Sequence, residues 1–457
     1  MSGLAFLLIL SFSKVQAEEM YRFRVYLKDK GVSGFSIEKP EDFLSERAVD
    51  RRIKRGVAIT ERDLPIAKTY LDSLTALGAT PVVQSRWLST VVVESKDSLI
   101  VGDISALSIV DSVKWVWKGK VCGGVNGLSE KNDQLIASKD ELLDEPYGYA
   151  RNQIKMLNGI KLHNKGYRGK GMVVAVIDAG YENVDQLEVF KSLDILGTCN
   201  FVTPGESVFE GDDHGTKVLS CLAANTAGLM VGTAPDASYW LLKSEDSRSE
   251  YPVEEDYWAA AVEFADSVGV DVISSSLGYF SYDAEGLDYS HTALDGNTAL
   301  ISKIANVASE KGILLFCSAG NEGNGSWEKI TFPSDASGIL TIGSITSEKK
   351  KSVFSSTGFT SDYRVKPDMV ALGTGSCVID PYGNIRYANG TSFATPILAG
   401  LGICLWQALP WLNNYEIIEL LRESSSQYKH PDAELGYGIP DVYKAYKKER
   451  NHDSLSR

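Results

Sequence analysis

Met172-Val173-Val174-Ala175-Val176-Ile177-Asp178-Ala179-Gly180 decides the architecture. Val173 to Ile177 are five apolar residues in a row, without the polar alternation of a strand that keeps one face wet. Both faces must then be covered, the condition of a strand inside a parallel sheet flanked by helices. Asp178 stands at the carboxyl end, where open α/β sheets place functional groups. Aspartate after a strand is also an ordinary turn residue, so it needs partners before it means anything chemical.

The same alternation continues downstream. Strands are expected at 238–242, 270–273, 313–316 and 338–345, and helices after His214, at 254–268 and at 304–311. The apolar segment 397–412, interrupted by Gly400, Gly402 and Pro410, reads as a helix buried on all sides. Strands alternating with helices specify an α/β fold, a mostly parallel sheet between two helical layers.

Three further stretches could complete Asp178. His214 lies in Asp212-Asp213-His214-Gly215-Thr216-Lys217-Val218, ahead of a small, apolar run. Gly215 lets a backbone or substrate approach the ring, and an imidazole is a base near neutral pH. The other four histidines, His163, His291, His430 and His452, sit in polar surroundings and are expected at the surface. In Phe316-Cys317-Ser318-Ala319-Gly320-Asn321-Glu322-Gly323 a strand runs into Asn321, whose amide could donate to an oxyanion; a plain turn is the alternative. Asn389-Gly390-Thr391-Ser392-Phe393-Ala394-Thr395-Pro396 puts Ser392 at the mouth of the apolar helix. Unpaired N–H groups and the helix dipole favour negative charge there, although Thr391 or Ser392 could merely cap the helix.

The order Asp, His, Ser separates this chain from α/β-hydrolases and from the chymotrypsin order, and the serine stretch lacks the second glycine of a G-x-S-x-G elbow. Together the four motifs resemble those of the subtilases, the subtilisin-like serine endopeptidases. Val176-Ile177-Asp178-Ala179-Gly180 is similar to the aspartate motif, with Ala179 where Ser or Thr is usual; Phe393 stands where Met is commoner. The resemblance covers roughly residues 150–447. It implies a subtilisin-like three-layer fold and peptide-bond hydrolysis, with Asp178, His214 and Ser392 catalytic and Asn321 as oxyanion donor. It also implies that Ser276-Leu277-Gly278 pairs with substrate backbone as an added strand, and that Ser318, Ala319 and Gly320 line the pocket beside the scissile bond. The rival readings are a catalytically silent subtilase-like binding protein, and an esterase or amidase with the same triad. Structural calcium is common in the family, but no D-x-D-x-D-G loop occurs, so no metal or other cofactor is assigned.

The 457 residues suffice for two or three domains, and 44% hydrophobic with 23% charged residues fits a globular protein. A net charge of -14 argues against nucleic acid or an anionic membrane surface as partner. The expected partners are a protein or peptide substrate and the chain's own propeptide, on a monomer with no membrane span. Residues 1–17 read as a signal peptide: 4–10 are apolar and too short for a bilayer, and Val15-Gln16-Ala17 resembles a cleavage site. Export to a periplasmic, cell-surface or extracellular location follows. Cys221, Cys317 and Cys404 read as buried small hydrophobes, and a disulfide among Cys122, Cys199 and Cys377 stays open.

Residues 18–118 read β-α-β-β-α-β, a small ferredoxin-like α+β domain. Ahead of a subtilase-like part it resembles the propeptide that assists folding and then caps the cleft; an unrelated binding domain is the alternative. The basic stretch 46–55 reads as a solvated helix or loop. Residues 119–149 read as an exposed linker holding the maturation site, and 448–457 as a frayed polar tail. The acidic run Glu245 to Asp256 reads as a solvated loop and first helical turn; the alternative is a preference for basic substrate residues.

Overall fold

A computed structural model describes residues 19–120 and 133–455. Residues 19–120 form β1 (Glu19–Leu27), α1 (Glu46–Arg55), α2 (Lys68–Ala76), β2 (Thr80–Ser85), β3 (Thr90–Ser95), α3 (Val101–Ser105) and β4 (Val110–Lys120). The strands lie in the order β2-β3-β1-β4, every neighbour antiparallel. Alternation along β1 sends Phe23, Val25 and Leu27 into a core with Leu74 of α2 and Ile104 of α3. Arg22 and Arg24 consequently lie on the opposite face, the one that meets the rest of the molecule.

The remainder begins with β5 (Gln134–Ala137), α4 (Arg151–Met156), α5 (Gly159–His163), β6 (Val173–Asp178), β7 (Asp194–Asn200) and α6 (His214–Ala223). It continues through the short pair β8 (Asn225–Thr226) and β9 (Met230–Val231), then β10 (Ser238–Lys243), α7 (Val253–Ser267), β11 (Val272–Ser275) and α8 (Leu300–Glu310). Next come β12 (Leu314–Ser318), β13 (Leu340–Ile345), β14 (Met369–Leu372), β15 (Ser376–Ile379) and β16 (Ile385–Ala388). The helices α9 (Thr391–Ala408), α10 (Asn414–Ser424) and α11 (Val442–Leu455) close the chain.

Seven of these strands make one parallel sheet in the order β14-β13-β12-β11-β6-β10-β7. The central strand β6 explains its own sequence. Val174 and Val176 enter one core with Leu398 and Leu401 of α9, while Val173, Ala175 and Ile177 enter another with Trp258 of α7 and Ile304 of α8. Neither face is wet, so neither is polar. The glycines that interrupt α9 mark close approach: a Cβ at Gly400 would lie 2.0 Å from Thr233 Oγ1, and one at Gly402 would lie 2.6 Å from the Phe316 ring. Among the described residues α9 alone is long and apolar enough to cross a membrane, and it is 94% buried in the protein.

Four expectations change. Residues 134–137, read as linker, form β5 and pair with β16 in a three-stranded sheet. The polar tail is helical to Leu455, with Tyr446 of α11 packed on Tyr167 and Lys448 paired to Glu423. His163 is buried, hydrogen-bonded to Tyr147 Oη and Thr233 O, and burial pushes its imidazole down to about 4. The basic stretch is a helix, but Arg51 and Arg52 are buried rather than solvated. The expected signal segment and residues 121–132 of the expected maturation region lie outside the described residues, as does Cys122. Cys199 and Cys377 are free thiols, and Cys221, Cys317 and Cys404 are buried.

Candidate active site

The carboxyl edge of the parallel sheet carries a cleft of about 320 Å³. Three strands and two helix starts meet there: the ends of β6, β11 and β12, and the N-termini of α6 and α9. Asp178, His214, Ser276, Leu277, Gly278, Ser318, Gly320, Asn321 and Ser392 all line it. Residues spread over more than two hundred positions are thus gathered because crossover connections return every strand in the same direction.

Asp178 ends β6 and is almost fully buried. Its Oδ1 accepts from His214 Nδ1 at 2.7 Å and from Ala179 N–H at 2.8 Å. Oδ2 is buried without a hydrogen-bond partner among the described residues, beside an alanine that offers no hydroxyl. Burial raises the Asp178 carboxyl, and the His214 ring opposes that shift. The imidazole is tilted against the Phe393 ring, 5.9 Å between centroids.

Ser392 is the second residue of α9 and 8% exposed. Its hydroxyl donates to the Ser276 carbonyl at 3.2 Å, and Ser276 Oγ donates back to the Ser392 carbonyl at 2.8 Å. This reciprocal pair fixes the start of α9 against the end of β11. Asn321 is oriented from the same helix: its Oδ1 accepts from Thr391 N–H at 2.9 Å and Thr391 Oγ1 at 3.0 Å. With the carbonyl end so occupied, the amide nitrogen is the end left for the cleft.

Ala319 does not join the cleft. It is fully buried and packs in the core on the α7 and α8 side, because alternation past β12 turns its methyl away from Ser318 and Gly320. Sequence reasoning also missed several lining residues, including Thr331, Glu322 and Lys217. Lys217 follows His214 by three positions and is nearly buried, paired to Asp133 at 2.7 Å and Asp213 at 3.1 Å. Thr391 and Phe393 stood inside the serine stretch, yet nothing in their side chains announced contacts to Asn321 or His214.

The acidic run is not solvated. Glu254, Glu255 and Asp256 are buried in the first turn of α7, and Glu245 and Glu250 line the cleft. Oxygens of Glu245, Glu250 and Glu254 lie within 4.8 Å of one another. Burial, opposed by bonds from Glu254 and Tyr279, pushes Glu245 up to about 7, and burial with the neighbouring charges Glu245 and Asp283 pushes Glu250 up to about 9. Burial and like charge thus favour the protonated forms of the trio, since three charged carboxylates would crowd one site.

Comparison with known proteins agrees in kind. Residues 169–438 match the Subtilase family, and residues 22–133 match the Peptidase S8 propeptide domain of Bacteroidota. Subtilisin E of Bacillus subtilis (strain 168) is 30% identical over 305 residues, covering 66% of this chain and 71% of that protein. The subtilisin of Bacillus pumilus is 29% identical over 305 residues, covering 66% of this chain and 98% of its own. M-protease of Shouchella clausii (strain KSM-K16) is 29% identical over 284 residues, covering 62% of this chain and 64% of its own.

Proposed function

This chain belongs to the subtilase family and is a serine-type endopeptidase with a propeptide domain, and from that premise we propose that Asp178, His214 and Ser392 are its catalytic triad and Asn321 its oxyanion donor. One observation carries the reading: the Asp178–His214 hydrogen bond, the Ser392 hydroxyl and the Asn321 amide open onto a single cleft.

On this reading a substrate lies along Ser276, Leu277 and Gly278 through main-chain hydrogen bonds, with a side chain between Ser318 and Gly320. The Ser392 hydroxyl leaves the Ser276 carbonyl and attacks the scissile carbonyl as His214 Nε2 takes its proton. Asp178, bonded to Nδ1, holds the tautomer and stabilises the imidazolium. The Asn321 amide and the Ser392 N–H, at the positive end of α9, receive the tetrahedral oxyanion. Collapse expels the amine with the proton from His214, and water then releases the acyl group by the same steps in reverse. No step needs a cofactor.

The N-terminal domain is read as the intramolecular inhibitor, the chain as an exported monomer, and maturation as a cut within 119–149, supported by the propeptide match and the apolar segment 4–10. The test of the chemistry is labelling with a fluorophosphonate probe, followed by kcat/KM on a folded protein, a short peptide amide and a simple ester. Modification of Ser392 with efficient amide turnover is expected. A Ser392 that stays unlabelled in the mature protein ends the proposal, and turnover confined to the ester reassigns the enzyme.

A further inference from the structure

Helix α1 is an outlier in its own domain. None of its residues joins the core formed by β1, β3, β4, α2 and α3, and Ile53 on it is 73% exposed. Its arginines reach instead into the catalytic domain. Arg51 donates to Asp266 Oδ1 at 2.5 Å and to Lys311 O at 2.9 Å, and Arg52 donates to Asp266 Oδ2 at 2.7 Å. Arg47 pairs with Asp271 at 2.6 Å, and Arg55 donates to Leu412 O at 2.6 Å while covering the Trp406 ring at 4.1 Å. Arg51, Arg52 and Asp266 are all under 5% exposed. Contact extends to the backbone: Ser45 N–H donates to Ser267 O, and Gly269, at φ +82°, brings the chain so near that a Cβ would lie 2.8 Å from Ala48 N.

Location matters as much as contact. Asp271 immediately precedes β11, and Lys311 lies just before β12, so α1 crosses the amino edge of the parallel sheet, opposite the cleft. Trp406 is in the last turn of α9, the helix whose first turn carries Ser392. At 1.5 Å per residue some 14 residues put about 20 Å between them. A helix there cannot occlude substrate; what it can do is hold. The other contact runs along α7 from its first turn, against the outer face of β1 to β4, where Arg24 bonds Asp256 at 2.7 and 2.9 Å and Glu263 receives Ser85, Arg86 and Trp87. The two footprints meet in the last turn of α7, which carries Asp266 and where Arg86 lies 3.7 Å from it, while on the α1 side Asp63 bonds Arg52 and Lys311.

We propose that α1 is a second anchor that retains the N-terminal domain on the catalytic domain after the chain between them is cut. Release of the domain then requires breaking the arginine cluster around Asp266 as well as lifting the sheet from α7. This rests on the reading of that domain as an inhibitor and is independent of the chemistry at Ser392.

The experiment uses the full chain with Ser392→Ala, so that self-cleavage plays no part, and with an external protease's recognition sequence substituted within residues 121–132. After cutting and dilution, separation of the two pieces is timed by size-exclusion chromatography. With α1 intact the pieces should co-elute; Arg51→Met with Arg52→Met should speed separation on the order of 10²-fold, since truncating buried ion pairs acts on dissociation. Near-UV circular dichroism of the uncut chain checks folding. Should that variant not fold, Arg47→Ala with Arg55→Ala, at the partly exposed ends of the helix, should speed separation about tenfold. Folded α1 variants that separate at the parental rate, while Arg24→Ala releases the domain, overturn the proposal.

Discussion

Glu254 and Asp256 stand two residues apart in the first turn of α7 and meet opposite surroundings. Asp256 faces the N-terminal domain and is gripped by Arg24; Glu254 is buried against Glu245 and Glu250, which line the cleft. Burial pushes Asp256 up to about 6 with Arg24 opposing it, so it is charged at neutral pH and paired. Burial and the neighbouring Glu245 and Glu250 push Glu254 up as well. One helix thus borders two regions that handle buried charge differently. The interface sets an arginine against each of Asp256, Asp266 and Asp271. The cleft leaves its acids to share protons, which is what a site that must accept a visitor can tolerate.

The difference can be broken from either side. Ser392→Ala should lower kcat on the order of 10⁶-fold while the uncut protein's melting temperature stays close to the parent's, because the interface is untouched; peptide hydrolysis and calorimetry read the two. Arg24→Ala should do the reverse. It strands Asp256 in the interface and should cost about 3–5 kcal/mol of denaturant stability in the uncut chain, with kcat of the mature enzyme unchanged. Asn321→Ala should reduce kcat about 10²–10³-fold with KM nearly constant, as removal of a transition-state donor does. A KM that rises with kcat unchanged would make Asn321 a binding residue instead.

Glu250→Gln sharpens the contrast through pH. Its carboxyl sits near 9 in the fold against an ordinary 4.5, so the native state holds a proton that the unfolded chain releases. That stabilising difference is fully present below about 4.5 and is lost as pH rises toward 9. The variant should melt with the parent at pH 4 and increasingly above it as pH climbs to 9. A constant offset across that range would mean that Glu250 does not hold its proton against its neighbours.

Much of this was legible in the linear chain for a plain reason. The run Val173 to Ile177 has one stable environment, and His214 and Ser392 sit in short motifs whose local geometry, a helix start at a sheet edge, is set within a few residues. The arginines of 46–55 were not legible. A charged helix with few apolar residues is indistinguishable from a solvated one until the surface it meets is known. The acidic run misled for the same reason, and Ala319 because the pocket wall changes direction just past the end of β12.

Residue order alone therefore determined the α/β core, the motif residues and the sense of the chemistry, since hydrophobic periodicity and turn residues act over short range. Which charges are buried, which carboxylate meets an arginine and which meets another acid, and where α1 lies were decided only by the tertiary structure. Electrostatic energy depends on neighbours in space and on the water they exclude, and neither is written along the chain.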